Sequence, residues 1–442
     1  MKVVVLGGGS TGEHFVGALR RLDAEVEITL VERRLVGGEC SYWACMPTKA
    51  MLRPTEVVAS ARLAPGAAEA ITGEIDAQRV FWHRDQTTNN RDDSSQERWL
   101  ESQRAALVRG EGVVARPGVV AVAVRELKYD VLVISTGSSP AVPPIEGLDE
   151  VDYWTNREAT ETTEVPESVV VLGGGPVGCE LSQFFARVGS RVTLLQGADR
   201  LLPRSDAVAG ELLEKAFAAD GIDVRLGAQA ERVEPGVRVS LAGGDAVEGE
   251  RLIVATGRCA NVDGFGFEEL LLEISRRGIE VDDRLAAAEG IWAIGDVTGI
   301  AQFTHVGKYQ ARVAAANVAG RDARADYRAI PASIFTDPQV ASVGQMDGDG
   351  VVSTTWSLAN VPRTYTYERP VQDGLLKLAA DKERGVVVGA LGIGPESGEW
   401  VQQLTLAIRA EVPVEVLLDT IQPYPTFSEA VFFAVRELAD QL

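Results

Sequence analysis

Short apolar runs closed by glycine alternate along most of this 442-residue chain with longer segments of helical periodicity. The run Lys2–Leu6 predicts a buried parallel strand, and the pattern after its glycine loop predicts a helix to about Leu22. A second apolar run at residues 26–31 predicts another strand, which ends in Glu32. Strands and helices that alternate in this way indicate an α/β fold.

The same arrangement occurs a second time. Ser168–Leu172 predicts a strand, residues 180–188 a helix and residues 191–195 another strand. In both copies a Gly-x-Gly-x-x-Gly triplet follows the first strand; the glycines are Gly7, Gly9 and Gly12, then Gly173, Gly175 and Gly178. Such glycines form a tight turn and admit a pyrophosphate to the helix N-terminus. The chain therefore carries an internal duplication of a Rossmann-like dinucleotide-binding unit.

The residue that ends the second strand differs between the two copies. Glu32 ends that strand in the first copy, and a carboxylate there binds a ribose hydroxyl. Gln196 takes the place in the second copy, where an acid favours NAD and nearby arginines favour NADP. Gln196 neither repels a 2′-phosphate nor grips the ribose as a carboxylate would, and Arg200 could reach a phosphate. The choice between NADH and NADPH stays open.

The remaining chain carries further helical and strand patterns. The sequence pattern changes from about Asp326. Helical patterns occur at residues 48–64, 99–108, 304–319, 399–408 and 428–442. Strand patterns occur at residues 113–114, 119–124, 130–134, 375–379 and 386–391.

Composition restricts the partners. The formal net charge is −21 and the isoelectric point is about 4.7, so nucleic acid and anionic membranes are not expected as partners. No apolar run approaches membrane-spanning length. Four cysteines are too few for a secreted disulfide scaffold, and no Cys/His spacing predicts a metal site. The first strand leaves no room for a signal peptide, so a cytoplasmic protein is expected.

Two of the cysteines, Cys40 and Cys45, stand close together between glycines and a Pro-Thr-Lys sequence. Five residues of regular helix would separate them by about 7.5 Å along the axis. A disulfide needs Cα atoms closer than about 7 Å, so a bonded pair requires a distorted turn, for which Pro47 is a candidate cause. An inert buried link is one interpretation. A reducing compartment favours the other, a catalytic pair.

The run from Gly37 to Lys49 resembles the Gly-Gly-x-Cys-x4-Cys-x-Pro-Ser/Thr-Lys signature of the flavin-dependent pyridine nucleotide–disulfide oxidoreductases. The resemblance covers nearly the whole chain. It implies FAD in the first unit and NAD(P)H in the second, with hydride entering at one flavin face and electrons leaving through the cysteines at the other. It implies that Cys45 is the flavin-proximal sulfur and that Cys40 meets the substrate. Lys49 and Glu180 would pair near the reactive flavin nitrogen.

The same resemblance implies the domain organisation. The FAD domain would comprise residues 1–145 and 262–325, the NAD(P)H domain residues 146–261, and an α+β dimerisation domain residues 326–442. Further cofactor contacts would come from motifs that close strands or open a helix: Thr136, Gly137, Gly257, Gly295, Asp296 and His305. For His305, contact through the backbone is expected rather than acid–base work by the ring.

The C-terminal motif departs from the family pattern. The resemblance implies a homodimer whose active site is shared across subunits, with a His-Pro-Thr-x-x-Glu segment that supplies the base. Here Tyr424 replaces the histidine, while Glu429 remains. Tyrosine ordinarily titrates near pH 10 and histidine near about 6.5, so fast dithiol exchange is in doubt.

The expected activity is electron transfer from NAD(P)H through FAD and the two cysteines to a small-molecule acceptor, with a disulfide as the default. Mercuric reductases also place a tyrosine near position 424, but they carry a C-terminal cysteine pair that this chain lacks. Reduction of a quinone or a metal ion is the first alternative. A redox-responsive flavoprotein that binds a partner and turns over little is the second.

Overall fold

The computed structural model describes residues 1–367 and 373–442. The chain divides into two compact units. The first comprises Met1–Thr48, Trp82–Ala141 and Gly257–Asp326, and the second comprises Lys49–Phe81, Val142–Thr256 and Tyr327–Leu442.

The strands of the described residues, in chain order, are β1 (Lys2–Leu6), β2 (Glu27–Glu32), β3 (Ala105–Arg109), β4 (Gly112–Arg116), β5 (Val119–Val122), β6 (Arg125–Lys128), β7 (Val131–Ile134), β8 (Ser138–Pro140), β9 (Ser168–Leu172), β10 (Arg191–Gln196), β11 (Asp223–Leu226), β12 (Ala230–Glu234), β13 (Arg238–Leu241), β14 (Ala246–Glu248), β15 (Arg251–Val254), β16 (Arg258–Ala260), β17 (Ala286–Ala288), β18 (Ile291–Ala293), β19 (Pro331–Ile334), β20 (Gln339–Gly344), β21 (Val351–Ser357), β22 (Leu375–Asp381) and β23 (Val386–Gly394).

The α-helices of the same residues are α1 (Ser10–Leu22), α2 (Gly38–Tyr42), α3 (Cys45–Leu63), α4 (Ala77–Thr87), α5 (Ser94–Ser102), α6 (Asn156–Glu161), α7 (Pro176–Arg187), α8 (Ala207–Ala219), α9 (Thr304–Val318), α10 (Ser397–Trp400), α11 (Gln402–Arg409), α12 (Val414–Leu418) and α13 (Glu429–Ala439). Among these residues, no helix combines the length and the apolar composition that a membrane span requires.

The first unit is built on a six-stranded sheet in the order β17-β18-β7-β1-β2-β3. Strand β1 is almost wholly buried and pairs in parallel with β2 and β7. Helices α1 and α9 contribute Phe15, Leu19, Ala311 and Ala314 to the core on one face of this sheet. The predicted strand β1 and helix α1 are confirmed. Their connection carries the first glycine triplet at the C-terminal end of β1.

The helix predicted for residues 99–108 is wrong beyond Ser102. The backbone of Arg104 takes a left-handed φ of 52°, which ends the helical path. Strand β3 then pairs in parallel with β2 from Ala105 opposite Ile28. Along β3 the buried residues are Ala105 and Val108, a spacing of three that does not show the two-residue period of a strand, so it is the pairing with β2 that identifies this segment as a strand.

The second unit contains a four-stranded parallel sheet in the order β11-β10-β9-β15 and a five-stranded antiparallel sheet in the order β19-β20-β23-β22-β21. Helix α7 follows β9 and buries Phe184 and Phe185 in the core of the parallel sheet. Helices α11 and α13 join the antiparallel strands in a separate core that includes Leu404 and Val435. The α/β class, with two dinucleotide-binding sheets and a C-terminal α+β region, is confirmed.

Candidate active site

The first glycine triplet forms a tight turn at the N-terminus of α1. Gly7 has a φ of 108°, and a Cβ on Gly12 would lie 2.2 Å from the Gly7 carbonyl oxygen. Only glycine fits at both positions. A Cβ on Gly9, in contrast, would meet no described atom within 4 Å. The open side of Gly9 lies at the positive end of a 13-residue helix, where a phosphate is stabilised.

Glu32 closes this turn. Its Oε2 accepts a hydrogen bond of 2.8 Å from the Gly8 amide, and its Oε1 accepts one of 2.7 Å from the Arg34 amide. The carboxylate therefore lies beside the glycine turn, at the position predicted for a ribose contact.

The second triplet has the same construction. A Cβ on Gly178 would lie 1.8 Å from the Gly173 carbonyl oxygen, whereas a Cβ on Gly175 would meet no described atom within 4 Å. Gln196 occupies the place of Glu32: its Oε1 accepts a hydrogen bond of 3.0 Å from the Gly174 amide. Its Nε2 donates one of 3.3 Å to the Arg200 carbonyl oxygen. Both turns have the close packing and the open backbone that a bound dinucleotide requires, so the residues fit FAD and NAD(P)H.

The cysteine stretch lies against the first turn. The Gly37 amide donates a hydrogen bond of 2.8 Å to the Gly8 carbonyl oxygen, and a Cβ on Gly38 would lie 2.8 Å from the Gly9 Cα. Helix α2, which contains Cys40, starts at this contact. The glycines that precede the cysteines thus allow two backbones to approach closely.

The helical path breaks between the two cysteines. Helix α2 ends at Tyr42, Trp43 has a φ of −136°, and Cys45 begins α3. Pro47 lies in the first turn of α3, where its missing N–H breaks no helical hydrogen bond. The expected distortion is confirmed, although no disulfide joins the two sulfurs in this structure.

The two thiols contact each other and the start of α9. Cys40 and Cys45 are hydrogen-bonded, and Cys45 Sγ lies 3.5 Å from the Thr304 hydroxyl. The hydrogen bond with Cys45 and burial raise the pKa of the Cys40 thiol well above its usual range. A hydrogen bond from Thr304 and the positive charge of Lys308 oppose this rise. The environment therefore contains both a reason for the protonated pair and two groups that favour a thiolate.

The predicted pairing of Lys49 with Glu180 is present in the second unit. Lys49 Nζ donates a hydrogen bond of 2.7 Å to Glu180 Oε2, and the Glu180 side chain is only 5% exposed. Glu180 Oε1 accepts a further bond of 2.9 Å from the Phe335 amide. The Lys49 ammonium also lies 5.0 Å from the centre of the Phe335 ring. Lys49 comes one helical turn after Cys45 in α3.

The predicted cofactor motifs around residues 136 and 296 lie together in the first unit. Thr136 Oγ1 donates a hydrogen bond of 2.8 Å to the Asn261 carbonyl oxygen. Asp296 Oδ2 accepts one of 2.5 Å from Ser138 Oγ, and the same hydroxyl accepts one of 2.7 Å from Arg258 Nε.

Three glycines of these motifs adopt backbone angles in the left-handed region. The φ angles of Gly137, Gly257 and Gly295 are 72°, 138° and 81°, so a side chain at these positions would be strained.

The ring of His305 stacks on Phe303 at 5.2 Å between ring centres, with 13° between the planes.

The C-terminal frame is intact around the substituted residue. Glu429 begins α13, and its Oε2 accepts a hydrogen bond of 3.3 Å from the Thr426 amide. Tyr424 is 75% exposed. Its side chain is therefore available to a ligand or a partner at the surface of the second unit.

Sequence reasoning missed three contributors. Thr304 stands directly before His305, which was singled out, and its place at a helix start was the available signal. Lys308 follows on the same helix at i+4. Phe335 lies within residues 326–442, the range expected for the dimerisation domain, and nothing in the sequence indicates its contact with Glu180.

Comparisons with known proteins agree with this geometry. The family model described as "Pyridine nucleotide-disulphide oxidoreductase" matches residues 1–323, and the model of the dimerisation domain of that family matches residues 330–434. A mercuric reductase of Acidithiobacillus ferrooxidans is 34% identical over 99% of this chain and 82% of its own length. A dihydrolipoyl dehydrogenase of Thermus scotoductus is 31% identical over 99% of this chain and 97% of its own.

Solved structures are also similar. LpdA of Mycobacterium tuberculosis superposes with a TM-score of 0.89 at 25% identity, over 99% of both chains. The flavoprotein disulfide reductase RclA of Escherichia coli, in its Cu(II) complex, gives a TM-score of 0.85 at 25% identity, over 97% of this chain and 98% of its own. The family uses FAD and NAD(P)H, and its dimerisation domain indicates a homodimer. The chain belongs to the pyridine nucleotide–disulphide oxidoreductase family of flavoenzymes.

Proposed function

We propose that this protein oxidises NAD(P)H and reduces a small-molecule disulfide through the Cys40–Cys45 pair. The observation that carries the proposal is the thiol pair itself: two hydrogen-bonded sulfurs, unbridged in this structure, with the Thr304 hydroxyl 3.5 Å from Cys45 Sγ. Such a pair can be oxidised to a disulfide and reduced again without other covalent change.

The thiol chemistry balances with two electrons. The Cys40 thiolate attacks the acceptor disulfide, forms a mixed disulfide and expels the first thiol. Cys45 then attacks the Cys40 sulfur, closes the Cys40–Cys45 disulfide and releases the second thiol. FAD, when bound, supplies the two-electron centre that links NAD(P)H to the reduction of this disulfide. The net reaction consumes NAD(P)H, one proton and one disulfide, and yields NAD(P)⁺ and two thiols.

The proposed roles follow the motifs. Cys45 is the flavin-side sulfur and Cys40 the substrate-side sulfur. The pair formed by Lys49 and Glu180 would lie near the reactive nitrogen of the flavin. The FAD contacts are Gly7, Gly9, Gly12, Glu32, Thr136, Gly137, Gly295, Asp296 and His305. The NAD(P)H contacts are Gly173, Gly175, Gly178, Gln196 and Gly257. The proposed domains are residues 1–145 with 262–325 for FAD, 146–261 for NAD(P)H and 326–442 for dimerisation.

The proposal also places Tyr424 and Glu429 in an active site that is completed by a second copy of this chain. Exposure of Tyr424 in the single chain supports this arrangement, because a partner could cover it. A cytoplasmic location is part of the proposal, since a thiol pair stays available for turnover in a reducing compartment.

Reduction of a soft metal ion is the second candidate. It is favoured by Tyr424 in place of a base and by the mercuric reductases among the similar proteins. Two adjacent thiolates suit a soft cation, which would be a substrate here. Among the described residues, no group of three or more His, Cys, Asp or Glu side chains could hold a resident metal.

The test is NAD(P)H oxidation by the yellow holoenzyme with a disulfide, a quinone and Hg(II) in turn. Cys40→Ser should abolish disulfide reduction, while Cys259→Ser, at an exposed cysteine, serves as the matched control. If the wild type reduces no disulfide and Cys40→Ser reduces the quinone at full rate, electrons pass from the flavin to the acceptor without using the thiols. Negligible turnover with all three acceptors would favour the low-turnover flavoprotein.

A further inference from the structure

Three polar side chains of the first unit form a hydrogen-bonded chain that starts at Arg258. Its Nε donates a hydrogen bond of 2.7 Å to the Ser138 hydroxyl, and its Nη2 donates one of 2.8 Å to the Ser138 carbonyl oxygen. The Ser138 hydroxyl donates one of 2.5 Å to Asp296 Oδ2. Because a guanidinium can only donate, the hydroxyl must accept from Arg258, and its own proton is left for Asp296.

Arg258 also lies between two carboxylates. Its Nη2 is 3.9 Å from Glu39 Oε2, and its Nε is 3.9 Å from Asp296 Oδ2. All three side chains are only 20–25% exposed, so their charges are screened less than those of surface residues. Of the two oxygens of Asp296, only Oδ2 accepts a hydrogen bond from the described residues. Its Oδ1 is therefore available to a ligand.

Both carboxylates border the first glycine turn. The residue before each acid is a glycine whose backbone packs against that turn. A Cβ on Gly38 would lie 2.8 Å from the Gly9 Cα, and a Cβ on Gly295 would lie 3.0 Å from Thr11 Oγ1. Gly9 and Thr11 belong to the start of α1, where a phosphate is stabilised. The two acids thus approach the phosphate turn from two different segments of the chain.

This arrangement creates a charge conflict that Arg258 resolves. The diphosphate of FAD is anionic, so two unbalanced carboxylates beside its turn would oppose its binding. The N-terminus of α1 contributes only about half a positive charge. We infer that Arg258 is a positioning residue for FAD. It balances Glu39 and Asp296 beside the phosphate turn and, through Ser138, fixes Asp296 while leaving Oδ1 available to the cofactor.

The inference deepens the proposed function and rests on its assignment of FAD to the first unit. The test follows release of FAD from the diluted holoenzyme by flavin fluorescence, at low and at high salt. Arg258→Met should raise the Kd of FAD about tenfold at low salt, and by a smaller factor at high salt, because ions screen the carboxylates. Arg258→Lys keeps the charge but not the two-pronged donor, so it should recover part of the affinity.

Removal of one carboxylate separates the charge from a merely structural role. Arg258→Met/Glu39→Gln should bind FAD more tightly than Arg258→Met, because one of the two unbalanced acids is gone. If Arg258 only joined β16 to β8, the charge at position 39 would not alter the loss. Arg116→Met is the matched control: Arg116 forms an exposed pair with Glu126 at 2.8 Å in the same unit, and its loss should leave the Kd of FAD unchanged.

Two results would overturn the inference alone: a wild-type Kd in Arg258→Met, or a loss of affinity that Glu39→Gln does not reduce. If Arg258→Met does not fold, Ser138→Ala takes its place, because it removes the hydroxyl through which Arg258 reaches Asp296. Ser138→Ala should raise the Kd severalfold, and a wild-type Kd there would also overturn the inference. A wild-type protein that binds no FAD would overturn the proposed function as well.

Discussion

Lys49 and Glu180 meet through a 2.7 Å hydrogen bond although 131 residues separate them in sequence. Glu180 is on one face of α7 with Gln183 and Arg187, at the i, i+3 and i+7 positions. Each of these three binds the segment at residues 335–337: Glu180 accepts from the Phe335 amide, Gln183 bonds the Asp337 backbone, and Arg187 pairs with the Asp337 carboxylate at 2.8 Å. The buried carboxylate of Glu180 is thus held between a lysine and a fixed backbone amide.

Loss of Lys49 should cost stability as well as activity. Lys49→Met leaves the Glu180 carboxylate buried without its ammonium partner and should lower the free energy of unfolding by about 2 kcal/mol. Lys49 is itself about one third exposed, so the full penalty of a dry ion pair is not expected. Denaturant unfolding of wild type and variant, at equal flavin content, measures the difference.

The double variant Lys49→Met/Glu180→Gln supplies the control. A glutamine at position 180 can still accept from the Phe335 amide but carries no charge, so it should recover most of the lost stability. A double variant as unstable as the sum of the two single variants would show that the pairing contributes nothing.

The parts of this fold that repeat a short-range pattern could be predicted from the sequence. Strand β1, helix α1 and the glycine triplet are determined by neighbours within about twenty residues, and all were predicted. The helix predicted beyond Ser102 failed because its end depends on the backbone of Arg104 and on pairing of β3 with β2, neither of which periodicity reports.

The candidate site divides in the same way. The cysteines stand in one local motif, so the sequence alone indicates them. Thr304 comes to Cys45 from 259 residues away, and Phe335 comes to Glu180 from 155 residues away. Contacts of this kind depend on how the sheets and helices pack. Only the family resemblance supplied the pairing of Lys49 with Glu180 before the structure.

Substitutions at the open glycines of the two triplets, Gly9 and Gly175, should each weaken the binding of a different cofactor. Gly9 has φ −66° and Gly175 has φ −81°, which alanine also adopts, and a Cβ at either meets no described atom within 4 Å. Gly9→Ala and Gly175→Ala should therefore fold normally, while the added methyl group keeps a pyrophosphate from its closest approach. Gly9→Ala should weaken FAD retention about tenfold, and Gly175→Ala should raise the KM for NAD(P)H by a similar factor.

Flavin absorbance after gel filtration and initial-rate kinetics measure these effects. Gly73→Ala is the control, since Gly73 is exposed and a Cβ there also meets nothing within 4 Å. The assignment of FAD to the first unit would be wrong if Gly175→Ala, and not Gly9→Ala, lost its flavin.

The titration of Glu13 should make stability depend on pH. Burial raises the pKa of this carboxyl from 4.5 to about 7 in the folded protein. Between these values the unfolded chain has released the proton while the folded chain retains it, so stability falls as pH rises from about 4.5 to 7. The fall due to Glu13 is about 3 kcal/mol at most. It is absent below this window and complete above it.

Thermal midpoints at pH 5 and pH 7.5 test this dependence. Between the two pH values, the thermal midpoint of Glu13→Gln should fall by less than that of the wild type, because the amide does not ionise. Glu25→Gln, at an exposed position on the same unit, should behave as the wild type. Equal losses in all three proteins would mean that Glu13 does not titrate in this range.

Tyr424→His should restore the missing base. The Thr426 amide and the Glu429 carboxylate, two and five residues after this position, still form their hydrogen bond, so the substitution changes only the side chain that supplies the base. Because imidazole ordinarily titrates near pH 6.5, it can take a proton from a dithiol at neutral pH, which a phenol does poorly. Oxidation of dihydrolipoamide with NAD⁺ should therefore rise about tenfold or more, a lower bound for general-base catalysis. Tyr365→His, at another exposed tyrosine of the second unit, should leave the rate unchanged. If Tyr424→His gives no gain at any pH between 6 and 9, the lack of a base is not what limits dithiol exchange.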